Sequence, residues 1–397
     1  MLKSTHYGIL LGIIFLLINA CNQHVEPLYT ITIETPGKNG KFPFLYQNNN
    51  QTLMSWVEQR NDSSFLFFSL LENNQWSTPT LIVSGTDWFV NWADYPMIHA
   101  NQKGEMIAHY LKKSAPDTYA YDIQLCYSQD GKSWESIGKL NDDSTQTEHG
   151  FVSATILTDH SFQFAWLDGR NTQNESEHTA MSLRTKSIKD GMMATSEPLD
   201  QRTCDCCQTS SATIGERSMV VYRDRSEMEI RDIYFTVQSK DGWSTPRPIF
   251  NDQWEIRGCP VNGPQVATKN NQVAVVWYTG AKGRPKVQLA FSSDIDDGFQ
   301  APIVIDDQKP LGRVDLSWIS ETQVAVVWMS QNENQSVINL AIADQNKGKV
   351  KEKVIAVNGP GRQTGFPQLV SVDNRLLVAW TDHDGEKSEL RSQFINL

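Results

Sequence analysis

VAVVWYTG, residues 273–280, and VAVVWMSQ, residues 324–331, are near copies: an apolar run, a tryptophan, then a polar tip. The pattern returns as LMSWVEQ (53–59), MIAHYLK (106–112), FQFAWLDGR (162–170), MVVYRDR (219–225) and LLVAWTDH (376–383). Its aromatic centres are Trp56, His109, Trp166, Tyr222, Trp277, Trp328 and Trp380, spaced 51 to 57 residues apart. Self-similarity at such a period signals a repeat architecture. Each unit holds several short runs bounded by turn residues, which is the make-up of propeller blades rather than of a helical solenoid.

Each unit divides into four strands, A innermost and D outermost, with the runs above as strand B. Strand A holds segments such as FPFL, YPMI, FVSATI, GPQVA, VDLSWI and FPQLV; strand C holds FLFFSLL, DIQLCYS, VQLAFSS and INLAIAD. The last unit reaches Leu397 without a strand D. Meanwhile Leu28–Glu34, LYTITIE, alternates apolar and polar residues and needs a sheet. It is expected to be the outer strand of blade seven, closing the ring and removing its open edges. The expected fold is therefore all-β, a seven-bladed β-propeller closed by an N-terminal strand. A six-bladed ring with an irregular N-terminal blade is the runner-up. In either ring the B–C tips and D–A entries share one face, which is where function is expected.

The ends are read differently. Lys3, the apolar stretch Gly8 to Ile18, and Ile18-Asn19-Ala20-Cys21 have the grammar of a secretory signal, and the stretch is short for a bilayer span. The tetrapeptide resembles the bacterial lipobox, which implies lipidation at Cys21. Residues 1–20 are expected to be a lipoprotein signal peptide, 21–27 a tether and 28–397 a single propeller domain. The expected location is the cell envelope, with the protein held to a membrane by its lipid anchor and monomeric. The formal charge is −11, and removing residues 1–20 takes away Lys3 and no acid. Such an acidic balance argues against nucleic acid as a partner.

Several C–D turns carry a worn motif: Ser128-Gln-Asp130-Gly131-Lys-Ser-Trp134, Ser239-Lys-Asp241-Gly242-Trp243, and Ser293-Asp294 with Gly298-Phe299. An Asp side chain stapling a turn, a glycine at positive φ and an aromatic plug between blades account for it physically. These segments resemble the Asp-box (BNR) repeats of sialidase-like propellers. Cys204-Asp205-Cys206-Cys207 and Gly258-Cys259-Pro260-Val261-Asn262-Gly263-Pro264 are similar to the CxCC and GCPxxGP segments of one subgroup of that superfamily. The resemblance implies a glycan as ligand or substrate, and a glycoside hydrolase if the protein is an enzyme. Sialidases begin their first inner strand with an arginine; Lys41-Phe42-Pro43 stands there instead, so no sialidase catalytic residue is carried over.

The rim of blades three to five departs from ordinary turn chemistry. Asp168, Asp224 and Asp232 are the candidate catalytic acids. Arg170, Arg223 and Arg231 are the candidate clamps for a glycan or other anionic small ligand, since guanidinium forks suit carboxylate and sulfate. His149 and Trp254 complete the expected binding set. Equally, neighbouring arginine and aspartate side chains can bridge blades structurally.

Cys204, Cys206, Cys207 and Cys259 form a group of four, and an oxidising compartment favours two disulfides among them. No cofactor is expected on that view. The alternative is a thiolate site for copper or zinc, giving a non-enzymatic scaffold that uses the cysteine-bearing rim for a metal or a partner. Cys126, inside LCYS, reads as a buried free thiol.

Overall fold

The computed structural model describes residues 30–36, 39–48, 51–173 and 179–397. The expected signal segment, the tether and Cys21 lie outside the described residues. Among the described residues seven antiparallel sheets of four or five strands follow one another, with strands A starting at Gly40, Ile98, His149, Ser210, Gln265, Pro310 and Gln368. This is the expected seven-bladed propeller, and the six-bladed runner-up falls away. Blade seven is completed by Thr30–Ile33, which pairs antiparallel with Ser388–Asn396, Ile31 facing Phe394. Among the described residues no helix is long and apolar enough to cross a membrane.

The middle of each strand B is largely apolar because both of its faces are covered by neighbouring blades. Val273 to Trp277 and Val324 to Met329 are all buried, and Val276, Trp328 and Trp318 meet in one cluster between blades five and six. A buried indole N–H must find an acceptor. Trp56 donates to Glu58 at 3.2 Å, Trp166 to Asp168 at 2.9 Å, Trp277 to Asp252 at 2.7 Å and Trp328 to Asp306 at 2.7 Å. In blade two His109 fills the aromatic place; burial holds it neutral, down to about 3. Cys126 is buried, and burial lifts its thiol to about 11.

The first C–D turn forms as the motif demands. Asp130 Oδ1 accepts the backbone N–H groups of Lys132 and Ser133 at 2.8 and 3.0 Å, and Gly131 sits at φ +70°. Trp134 packs edge-on against Phe68 of blade one.

Seven A strands enclose a central channel of about 720 Å³, lined by Ser153, Thr155, Ser211, Thr213, Gln368 and Asp315 among others. Hydroxyl pairs lace neighbouring A strands, Ser153 to Ser211 and Thr155 to Thr213, both at 2.7 Å. The channel is bordered by residues of the A–B turns, Asn48, Gln102, His160 and Asn270, so it opens on that face. Its other end is plugged. Trp92 stacks on Phe366 and carries the Arg313 guanidinium 4.5 Å above its ring. Gln208 donates to Ala93 O at 2.6 Å, and Phe151 N–H to Asp94 at 2.8 Å. The loop entering blade two is thereby tied across the axis. A site on the B–C face must lie off the axis.

Candidate functional site

The sequence-predicted residues gather on the B–C face in two clusters rather than around one mouth. The first lies at the seam of blades two and three. Asp168 is fully buried; it accepts the Trp166 indole, the Arg170 N–H at 3.1 Å and the Arg170 Nε and Nη2 groups at 2.7 and 2.9 Å. A saturated, buried carboxylate has no face for a substrate, which corrects its expected catalytic role. Glu58 in blade one serves its own tryptophan from the same register, two residues on. Arg170 also reaches Asp142 at 2.9 Å and Asp143 at 3.3 Å, so its fork is spent on protein acids and is no ligand clamp.

His149 is buried beneath this network, with Nδ1 3.1 Å from Tyr121 O and Nε2 3.1 Å from Asp143. Burial favours its neutral form, but Asp143 and Asp168 outweigh burial and raise its proton affinity. Burial likewise pushes Asp143 up, yet its contacts with His149 and Thr145 hold it well below the usual carboxylate range. Asp143, His149 and Asp168 bring three ligand atoms within 4.8 Å of one another. The Arg170 guanidinium already supplies the cation there. His149 is a structural group, not a wall of a cleft.

The second cluster belongs to blade four and the entry to blade five. Arg223 is 1 % exposed and donates to three carbonyls: Asn262 at 2.8 and 3.1 Å, Arg231 at 2.7 Å and Tyr278 at 2.7 Å. It stitches the blade-four B strand to the blade-five entry and cannot clamp a ligand. Trp254 stacks under it at 4.8 Å and is buried, so that indole is packing rather than a binding platform. Asp232 accepts the Gln253 and Trp254 amides at 2.9 and 3.0 Å and is buried, a turn staple rather than an acid. Arg231 is buried, pairing with Glu229 at 2.7 Å and donating to Cys204 Sγ at 3.2 Å.

Asp224 differs from all of these. It borders a groove of about 460 Å³ between blades three and four, with Asp200, Arg202, Arg225, Tyr234 and Pro246. Burial, and then the neighbouring Asp200 charge, lift its carboxyl to about 7. Asp200 is oriented by the Tyr222 hydroxyl, which donates to it. Arg225 pairs with Asp205 at 2.8 Å and with Glu229 at 2.8 Å, and Glu229 also lies 3.9 Å from Arg202. Two carboxyl groups with different surroundings beside the Arg202 guanidinium can transfer protons and hold an anionic or polyhydroxylated ligand.

Three further acids were not singled out in the sequence. Glu148 receives the Tyr121 hydroxyl at 2.5 Å and is lifted by burial to about 7. Asp94 is buried and held well above the usual range by burial. Asp315 lines the channel, and burial lifts it to about 7. The adjacency of Glu148 to His149 was the only sequence signal for any of them.

The four expected rim thiols converge. Cys204, Cys206 and Cys207 have Sγ atoms within 4.8 Å of one another, and Cys259 lies beside Cys206 at their edge. The expected disulfides are not formed: all five described cysteines are free, and Cys204 and Cys207 lie 3.5 Å apart against about 2.05 Å for a bond. The neighbouring Cys206 and Cys207 thiols, and then Arg231 and Arg223, hold Cys204 well below an ordinary thiol.

No family model and no curated protein matches this chain. Among solved structures it is similar to the polysaccharide lyase Uly1, with a TM-score of 0.53 and 8% identity over 92% of this chain and 91% of that one. It is also similar to a Penicillium chrysogenum α-L-arabinanase complexed with arabinobiose (TM-score 0.50, 13% identity, 92% of this chain and 97% of that one). The GH93 α-L-arabinofuranosidase of Fusarium graminearum in complex with arabinobiose matches at a TM-score of 0.50 and 14% identity, covering 76% of this chain and 92% of that one. At such identities the likeness shows the β-propeller fold.

Proposed function

We propose that this chain is an exported, lipid-anchored propeller that binds and hydrolyses an extracellular glycan in the groove between blades three and four. The observation that carries the proposal is the place of Asp224 on an open groove beside Asp200, its carboxyl lifted to about 7 although it accepts the Arg225 N–H. Glycoside hydrolysis needs one carboxyl that still holds its proton near neutral pH to protonate the leaving oxygen, and a second to activate water or attack. Asp224 is assigned the first role and Asp200 the second. Arg202 borders the same groove and suits a sugar bearing a carboxylate or sulfate, whereas the Arg225 fork is spent on Asp205 and Glu229. Carbohydrate-active neighbours of the same fold are in keeping with this chemistry. Attachment through Cys21 would hold the disc at a membrane surface, facing large substrates.

A non-enzymatic scaffold is the alternative, and one observation favours it: Asp168, Asp232, Arg223 and Arg231 are all engaged in structural bonds. A panel of fluorogenic glycosides and acidic oligosaccharides separates the two. Turnover that falls roughly 100-fold in Asp224→Asn, with an unchanged melting temperature, supports the hydrolase. Absence of both turnover and binding across the panel leaves the scaffold.

A further inference from the structure

The thiols of blades four and five play no part in the glycan chemistry, and their arrangement has its own logic. Cys204, Cys206 and Cys207 lie on the chain between the last strand of blade three, Glu197–Thr203, and the first of blade four, Ser210–Ile214. Cys259 comes from the long entry to blade five. Polar contacts, not sulfur bonds, hold the two segments together. Gly263 N–H donates to Gln208 Oε1 at 2.9 Å, Asn262 N–H points at Cys207 Sγ at 3.4 Å, and Arg223 grips Asn262 O. Asn262 is itself fixed, donating to Pro260 O at 3.2 Å and Leu311 O at 3.1 Å. The sulfur atoms are held in place by their surroundings.

We propose that Cys204, Cys206, Cys207 and Cys259 form a binding site for one soft d10 cation, zinc or copper(I). The spacing fits such an ion. A zinc–sulfur distance of about 2.3 Å places tetrahedral sulfur atoms about 3.8 Å apart. The closest pair here is 3.5 Å apart and the three clustered sulfur atoms lie within 4.8 Å. The shell around them is suited to thiolates. The Arg231 guanidinium donates to Cys204 Sγ at 3.2 Å and the Asn262 amide to Cys207 Sγ, the kind of N–H···S contact that orients a metal ligand. Arg223 and Arg231 are both buried beside the cluster and offset the negative charge that several thiolates leave around one cation. Access is graded. Cys204 and Cys207 are buried, Cys206 is half-buried and Cys259 is exposed, so an ion enters from the rim past Cys259 and is closed in beneath it. Binding replaces each S–H by a metal–sulfur bond and releases that proton to solvent; no electron is transferred, because copper is taken up already as copper(I).

The test uses the mature full-length protein purified anaerobically under a mild reductant, with no sugar present, so its outcome is independent of the hydrolase assignment. Zinc, and separately copper(I) as its acetonitrile complex, are titrated in, and metal per chain and the thiolate-to-metal absorption are read. One equivalent is expected, with affinity falling roughly 100-fold or more in Cys204→Ser and Cys207→Ser. Cys126→Ser is the control and should bind as the parent does. Cys259→Ser tells the ions apart: zinc, which wants four ligands, is weakened, whereas copper(I) is retained by the three remaining sulfur atoms. If a cysteine variant fails to fold, stoichiometry and thiol counting on the parent protein decide alone. Failure of the reduced protein to take up either ion stoichiometrically overturns the proposal. So does native protein whose four rim cysteines are found joined in two disulfides.

Discussion

Blade six and blade four divide the same length of chain in opposite ways. Blade six puts nearly everything into its sheet: strands of 9, 10, 10 and 11 residues, Pro310–Trp318, Gln323–Asn332, Gln335–Asp344 and Gly348–Asn358. Blade four has strands of 5, 7 and 7 residues, Ser210–Ile214, Arg217–Arg223 and Ile233–Ser239, and a short outer strand of 2, Arg247–Pro248. The residues it withholds from the sheet build the Asp224–Asp232 tip and the long entry to Trp254 and Cys259. Blade six is stabilised by area between sheets. Blade four is stabilised by polar stitches, and those stitches position the groove and the thiols. Stability and chemistry are thus separable in the first blade and entangled in the second.

Mutations sharpen that contrast. Trp328→Ala in blade six should cost about 3–5 kcal/mol in chemical denaturation, by opening a cavity and removing the indole donor to Asp306, while the groove keeps its ligand affinity at low temperature. Arg223→Met should cost about 2–3 kcal/mol by leaving three carbonyls without their donor. It should also raise hydrogen exchange across residues 254–263, and equal exchange in variant and parent would break the idea that Arg223 holds the blade-five entry. A pair of aspartates separates structure from chemistry. Asp168→Asn should lower the melting temperature and spare turnover, whereas Asp224→Asn should do the reverse.

The channel gives a smaller, pH-dependent effect. Asp315, lifted to about 7 by burial, binds its proton more tightly in the fold than in the unfolded chain. Its contribution to stability is therefore complete below about pH 4 and lost as pH rises through about 7. Asp315→Asn should flatten the pH 4–7 stretch of the stability curve measured in urea, and an unchanged slope would contradict the assignment. The smallest effect is expected on the opposite face, where Asp130→Ala should lower the melting temperature only slightly through the loss of its turn bonds.

The ring was legible in the sequence because its signal is repeated and local. Seven apolar runs with an aromatic at one register, and an orphan alternating strand at Thr30–Ile33, leave few ways to bury tryptophan and close the sheet edges. The site was legible only in outline. The thiols and the arginine–aspartate tips were recognised as a shared rim, but the roles of single residues depend on partners far along the chain. Arg223 spends its donors on carbonyls 39 and 55 residues away, and Asp232 accepts from amides 21 and 22 residues away. Asp168 could have been read correctly, since Trp56 and Glu58 repeat its relation to Trp166. The plug formed by Trp92, Phe366 and Arg313 left no sequence trace, because three different blades contribute it.

The pH–rate profile of the best substrate, compared between parent and Asp224→Asn, bears most directly on the groove between blades three and four. An acid at Asp224 predicts that kcat/KM of the parent falls on the alkaline side of about pH 7, and that this limb disappears with most of the activity in Asp224→Asn. An Asp224→Asn protein that keeps both the rate and the limb would contradict it.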